Sequence, residues 1–487
     1  MSSPKPDSVS RQLTVTEAII PIASLIVLVA MSFFLFGDAG ALGPNQVALT
    51  VATMIGAFVG WRAGYTLDEL QEAAVASVSS GISAMFILLA VGSLIGTWAM
   101  SGTLVAMVYY GLHLLHPNYF YVTAAIICGV VALSIGSSWT VVGTIGIGLM
   151  GISANMELNP AISAAAIISG SYFGDKSSPL SDSTNLAAAV AGADLYQHIR
   201  AVMLWTSVPA MAISLVLFWL LGSPGDFDAS HKIDAIKTLF NVSPVLFLPL
   251  LLVIGLALLK YPPFTTIFIG AIAGGLLAAF VAPERVIAYA DAGDLPTPIG
   301  LLKGVWLALA DGYKSSTGDV AIDRLISRGG MASMLGTIWL IITALAFGGV
   351  VEKAGVLERL MTPVIAAAKS VGTLVAYLVG SVVSTNIVTA DQYIAIVLPG
   401  RMFKNAFRER GLAPVVLSRA IGDSGTVTSA LIPWNSCGAY MAATLGVATL
   451  SYAPYAFFCI LCPVITIASA YAGINMVRAD EPPPEKP

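Results

Sequence analysis

Runs of about twenty apolar residues recur from residue 18 to residue 473, and twenty is the number an α-helix needs to cross the hydrocarbon core of a bilayer. The clear stretches are 18–36, 46–61, 73–100, 200–221, 243–260, 264–282, 331–351 and 451–473. Charged residues make up 10% of the 487-residue chain and hydrophobic ones 57%, where a soluble domain carries about 25% charged, so most of the surface must face lipid. Lipid offers backbone N–H and C=O groups no partner, which predicts an all-α polytopic membrane protein. A net charge of -4 provides no basic surface for nucleic acid. The run at 18–36 follows a polar tail of 17 residues and exceeds a signal peptide's apolar core, so it reads as a retained span. Cys128, Cys437, Cys459 and Cys462 lie in or beside apolar runs. FFCILCPVI surrounds the Cys459-x-x-Cys462 pair with nothing that stabilises a thiolate or completes a metal site, so these read as packing residues.

Two pairs of long apolar stretches are interrupted. Residues 119–154 break at GSSWT (136–140) and 160–194 at GDKSSPLSDSTN (174–185); 371–400 break at STN (384–386) and 412–449 at GDSGTVTS (422–429). Asp423 follows Asp175 by 248 residues, and Gly422 and Asn386 follow Gly174 and Ser138 by the same 248, which predicts an internal repeat in that register. Interrupted hydrophobic segments at corresponding places in two halves point to the binding site of a secondary transporter. Charge placement orients the halves. SANMELNP (153–160) has no Lys or Arg, whereas its partner GRMFKNAFRERG (400–411) has Arg401, Lys404, Arg408 and Arg410; the next loops reverse the bias, with Arg200 after GADLYQHI and none in GVATLSYAP. Positive residues stay inside, so the repeat is expected to be inverted.

The expected layout is a cytoplasmic tail (1–17), a first repeat (18–221), a connecting loop (222–242), a second repeat (243–473) with an external connection (284–330), and a cytoplasmic C-terminal tail (474–487). Each repeat holds five spans, a broken helix and a re-entrant hairpin, the hairpin tips falling at GSS (136–138) and STN (384–386). A short amphipathic helix is expected around KGVWLALADGYK, and 103–115 and 356–368 are too short to span.

A carboxylate at the centre of a membrane helix costs about 2.5–3.5 kcal/mol on insertion scales, so Asp175, Asp182, Asp391 and Asp423 are candidates for function. Around the first break, Ser178, Thr184 and Asn185 join Asp175 and Asp182 in an all-oxygen set suited to Na+ or a proton rather than to a transition metal. Unwinding at Pro179 could bring both carboxylates to one ion. For Asp175 the alternative is an ion pair with Lys176; for Asp423 it is a cap on a helix starting at Ser424. Ser137, Ser138, Ser384, Thr385 and Asn386 at the expected tips offer oxygens and helix N-terminal amides to an ion or an anion, or cap the tip helices. Asp391 aligns with Gly143 in the 248 register and Asp182 with Ala430, so the halves contribute unequally. Trp434 and Asn435 line the substrate cavity or pack beside it, and His198 is a pH sensor or a surface residue near the cytoplasmic rim.

GDKSSPLSDSTNLAAAVAGADLYQHIR (174–200) closely resembles the signature segment of the NhaC-type sodium/proton antiporters, and IGDSGTVTSALIPWNSCGAY (421–440) resembles its second-half counterpart. The resemblance implies an inner-membrane Na+/H+ exchanger in a bacterium or archaeon, dimeric, with no cofactor beyond the transported ions and an elevator-like movement of its transport domain. It places Asp175, Ser178, Asp182, Thr184 and Asn185 in the first-half site, faced by Asp423 and Thr426. The family also includes exchangers that couple Na+ or H+ to organic acids such as malate and lactate.

Overall fold

The computed structural model describes residues 11–36, 43–222, 230–315, 323 and 326–479. The start of the N-terminal tail, part of the 222–242 loop and the C-terminal tail from residue 480 lie outside these residues. Among the described residues the long elements are all helices, and the β contacts are two isolated bridges, Tyr313 with Arg328 and Leu412 with Arg478.

The chain opens with α1 (Val15–Phe36), α2 (Pro44–Arg62), α3 (Leu67–Ser80), α4 (Ile82–Ser101) and α5 (Thr103–Leu114). A helical hairpin follows: α6 (Phe120–Ile135) turns at Gly136 into α7 (Ser138–Val141), which continues through a π-helical turn (Val142–Gly146) into α8 (Ile147–Asn155). A broken helix comes next, α9 (Pro160–Ser177) and α10 (Asp182–Ala191), then α11 (Leu195–Val202), a second π turn (Met203–Ser207) and α12 (Val208–Leu220). After α13 (Ser230–Leu239) come α14 (Leu248–Leu258), α15 (Pro263–Val281), α16 (Pro283–Tyr289), α17 (Thr297–Asp311), α18 (Leu335–Lys353) and α19 (Val356–Ala367). The second hairpin, α20 (Val371–Thr389) and α21 (Gln392–Glu409), leads to a second broken helix, α22 (Pro414–Thr428) and α23 (Ser436–Leu445), and to α24 (Thr449–Tyr452) and α25 (Phe457–Tyr471).

By length and composition, seven of these helices can cross a membrane, or eight if the pair Thr449–Tyr455 and Phe457–Tyr471, bent by 55°, is one span. The sequence count of ten is higher. The stretch 243–260 forms only a shorter apolar helix, and 73–100 is two helices that part at Gly81. Gly81 packs closely there: a Cβ would stand 2.3 Å from Leu345 Cδ1 of α18, which would have to turn aside.

The two halves repeat their element boundaries, in a register 254 residues apart rather than 248. Helix ends Ile135 and Thr389, left-handed Gly136 and Ala390, N-caps Ser137 and Asp391, N-caps Ser181 and Asn435, and left-handed Gly192 and Gly446 each differ by 254. Pro160 and Pro414, which start α9 and α22, differ by 254 as well. The second tip therefore lies at Ala390–Asp391, and Ser384, Thr385 and Asn386 belong to the last turns of α20. Asp391 corresponds to Ser137 instead of Gly143, Asp182 to Ser436 instead of Ala430, and Asp423 to Ser169. The 248 register aligned two Gly-Asp pairs that occupy different turns; proline starts and glycine stops carry the true repeat because they fix the backbone.

Small residues bring helices together without any hydrophobic drive between them, as lipid requires. On α9, Gly170 and Gly174 are one turn apart on the face that packs along α6; a Cβ would stand 2.1 Å from Ala125 O and 2.3 Å from Leu133 N. On α4, Gly92 and Gly96 do the same for the segment between α17 and α18: a Gly92 Cβ would stand 2.4 Å from Gly330 O, and Gly330 N donates to Gly92 O at 2.7 Å. Gly170→Val should destabilise the protein by about 1–3 kcal/mol through overpacking, whereas Gly255→Ala, with nothing within 4 Å, should be neutral or stabilising by up to about 1 kcal/mol. Thermal unfolding of the purified variants checks both.

Candidate functional site

A cavity of about 360 Å³ lies where the two hairpin tips meet the two helix breaks. Its lining includes the first residues of four helices: Trp139 and Thr140 of α7, Asp182 and Ser183 of α10, Gln392 and Tyr393 of α21, and Ser436 and Cys437 of α23. A stretch around Gly81 between α3 and α4, and the turn Lys260–Pro263 before α15, form the other wall. Each of the four starts has a side-chain cap, which answers one of the amides that a helix leaves unbonded. Ser137 Oγ accepts from Thr140 N (3.2 Å), Ser181 Oγ from Thr184 N (3.4 Å), Asp391 Oδ1 from Tyr393 N (2.7 Å) and Ile394 N (2.9 Å), and Asn435 Oδ1 from Cys437 N (3.0 Å). The four positive dipole ends face one cavity.

Asp175, 8% exposed, and Asp391, 6% exposed, are the two buried carboxylates on its wall, and Asp175 Oδ2 accepts from Ser138 N at 3.2 Å and Ser138 Oγ at 2.6 Å. The acid of the first broken helix is thus held by the first hairpin tip. Asp182 is exposed at the start of α10 and lines the same cavity. Thr184 Oγ1 turns back to the end of α9, donating to Lys176 O (3.0 Å) and Asp175 O (3.3 Å). Asn185 Nδ2 donates to Pro179 O (2.9 Å) and Ser181 O (2.8 Å), and buried Ser178 accepts from Leu180 N (3.2 Å). These three brace the break that exposes Asp175.

Asp423 is elsewhere. It lies inside α22, fully buried and absent from the cavity wall, so it caps no helix at Ser424. Its Oδ1 pairs with Lys176 Nζ at 2.5 Å, while Oδ2 accepts from Thr206 (2.7 Å) and Thr466 (2.5 Å). Lys176 therefore does not neutralise Asp175: adjacent helical residues point about 100° apart, and its side chain crosses to the other half. Thr426 is buried on α22 with its carbonyl accepting from Ser429 Oγ (2.6 Å). Ser384 is exposed, Thr385 bonds its own helix at Ser381 O (2.8 Å), and Asn386 donates to Gly425 O (2.8 Å) and Thr428 Oγ1 (3.0 Å), tying α20 to α22. Asn435 Nδ2 reaches Asn386 O and Oδ1, both at 3.2 Å, and Trp434 Nε1 donates to Ile387 O at 2.7 Å, so both brace the second break. His198 is not on the surface: it is 1% exposed and bonds Ser418 Oγ through Nδ1 at 3.0 Å, covered by α22.

The residues missed in the sequence are polar ones inside apolar runs. Thr206, Thr466 and the buried Arg419 follow no break, and only their cost in lipid marks them out, whereas Gln392 opens α21 directly after the second tip and is hidden by that tip's expected place at STN.

The Na+/H+ antiporter family model matches residues 170–474. The Na+/H+ antiporter NhaC of Alkalihalophilus pseudofirmus is 37% identical, over 89% of this chain and 90% of its own length. The malate-2H+/Na+-lactate antiporter of Bacillus subtilis is 34% identical, over 94% and 95%. The arginine/ornithine antiporter ArcD of Halobacterium salinarum is 35% identical, over 97% and 94%.

Asn435→Ala removes a helix cap and both bonds to Asn386, so it should cost about 1–3 kcal/mol of stability, read as a lowered unfolding midpoint. An unchanged midpoint would contradict the bracing role.

Proposed function

The chain belongs to the Na+/H+ antiporter family, among its NhaC-type members, and from that premise we propose that it exchanges Na+ for H+ at the cavity between the hairpin tips, with Asp175 as the carboxylate both ions share. The observation that carries this reading is the position of Asp175: a buried acid, opened to a cavity by a helix break, with side-chain oxygens of the first tip and the first break on the same wall. Na+ fits a shell of hydroxyl and carboxylate oxygens, which Ser137, Thr140, Ser181, Asp182 and Ser183 supply from the same wall. Competition gives the exchange. A bare carboxylate is costly to carry through lipid, so the protein changes its facing only with Asp175 protonated or bound to Na+. One site that takes either ion, and moves only when filled, is an antiporter.

In this reading the hairpins and broken helices of both halves move together in an elevator-like displacement. The halves are inverted in the membrane, both termini are cytoplasmic, and the unit is a homodimer in the cytoplasmic membrane. Thr184 and Asn185 hold the shape of the break, Asp182 sets the charge of its mouth, and Asp391 shapes the second tip.

A second reading keeps the cavity and changes its cargo. Four helix starts suit a carboxylate, 360 Å³ falls within the range of small-molecule pockets, and relatives are named for malate, lactate, arginine and ornithine exchange. Proteoliposomes with an imposed pH gradient and an entrapped pH dye separate the two. Collapse on adding Na+ with only inert anions supports Na+/H+ exchange, and silence until an organic acid or amino acid is supplied supports the second reading. Asp175→Asn should abolish flux under either cargo while leaving the unfolding midpoint within about 1 kcal/mol of wild type, since an amide keeps the Ser138 contact. Normal exchange by that variant would sink the assignment.

A further inference from the structure

Lys176 and Asp423 form the one ion pair found within the membrane helices among the described residues, and it lies away from the cavity. The ammonium has a complete shell. Besides Asp423 Oδ1 at 2.5 Å, Nζ donates to Ser207 Oγ (3.3 Å) and Cys462 Sγ (3.6 Å) and stands 5.7 Å from the centre of the Phe458 ring. The carboxylate is anchored independently by Thr206 and Thr466. The shell thus comes from α22, α25 and the π turn before α12, while the cation arrives on a four-carbon stem from α9. Carboxylate, hydroxyl, thiol and ring are what a protein offers a large monovalent cation, and here the cation is covalently attached.

The neighbouring charges do not share this task. Arg419, one turn before Asp423, donates to Ser469 Oγ at 3.4 Å, and His198 faces Ser418. The repeat supplies no second copy either: in the 254 register Asp423 corresponds to Ser169 and Lys176 to Ala430, so the charge pair exists once.

We propose that the Asp423 pocket is a monovalent-cation site of alkylammonium type, permanently filled by the tethered ammonium of Lys176. The chain then carries one fixed cation through its cycle, and Lys176 does not compete with the exchanged ions for Asp175. This holds whether the exchanged cargo is Na+ or an organic acid, so its test is separate from the transport assay.

The full-length Lys176→Ala protein, purified in detergent, is titrated with methylammonium chloride at constant ionic strength, and its unfolding midpoint is followed. The expected result is a midpoint below wild type that rises by several degrees, saturably, with methylammonium, a response absent from wild type and from Lys176→Ala/Asp423→Asn. If Lys176→Ala cannot be recovered alone, the same comparison is made by solubilising with methylammonium present; recovery of monodisperse protein that depends on the cation and on Asp423 supports the site. No response in Lys176→Ala to methylammonium, ammonium, Na+ or K+, or an equal response in all three proteins, overturns it.

Discussion

A helix that stops inside a bilayer leaves up to four amides and four carbonyls without partners, in a medium that offers none. This protein stops helices repeatedly within its own packed interior, and its architecture follows from how those ends are answered. Ser137, Ser181, Asp391 and Asn435 cap the four starts, and Thr184, Asn185 and Asn386 bond carbonyls near the breaks. Once the ends are satisfied they can face a common space, and the cavity is that space. Close helix packing, through Gly170 and Gly174 on α9 and Gly92 and Gly96 on α4, then holds the breaks in register.

Backbone symmetry and charge asymmetry have separate roles. The caps and turns repeat at 254 residues, so both halves offer the same polar frame. The charges do not repeat: Asp175 corresponds to Ser429, Lys176 to Ala430 and Asp423 to Ser169. Asp175 opens onto the cavity from α9, while Asp423 is satisfied by lysine. A buried pair broken on one side leaves an uncompensated charge, which costs several kcal/mol, so α9 and α22 are bound to each other across the halves.

Much of this was legible in the chain. The helical membrane class follows from the apolar runs, the first break lies within GDKSSPLSDSTN and the first tip at Gly136–Ser138, whereas the second break expected at GDSGTVTS falls after it, because α22 runs on to Thr428 and α23 starts only at Ser436. The second tip was misplaced by several residues because STN has the composition of a cap but continues α20, with Asn386 turned sideways to α22. The repeat register was wrong for a related reason: Gly-Asp occurs in both halves at unrelated turns, whereas Pro160, Gly136 and Gly192 and their partners carry the backbone signal. The partner of Lys176 could not be read at all. Sequence neighbours suggested Asp175, and only the fold brings residue 423 beside residue 176.

The central claim is that Na+ and H+ compete for Asp175. Adding Na+ to the purified protein in weakly buffered detergent solution, and following the pH, tests it without any membrane. The account predicts proton release on Na+ addition that saturates, shrinks as the starting pH rises, and is lost in Asp175→Asn. Na+ binding without proton release at any starting pH, or equal release from the Asp175→Asn protein, would contradict it.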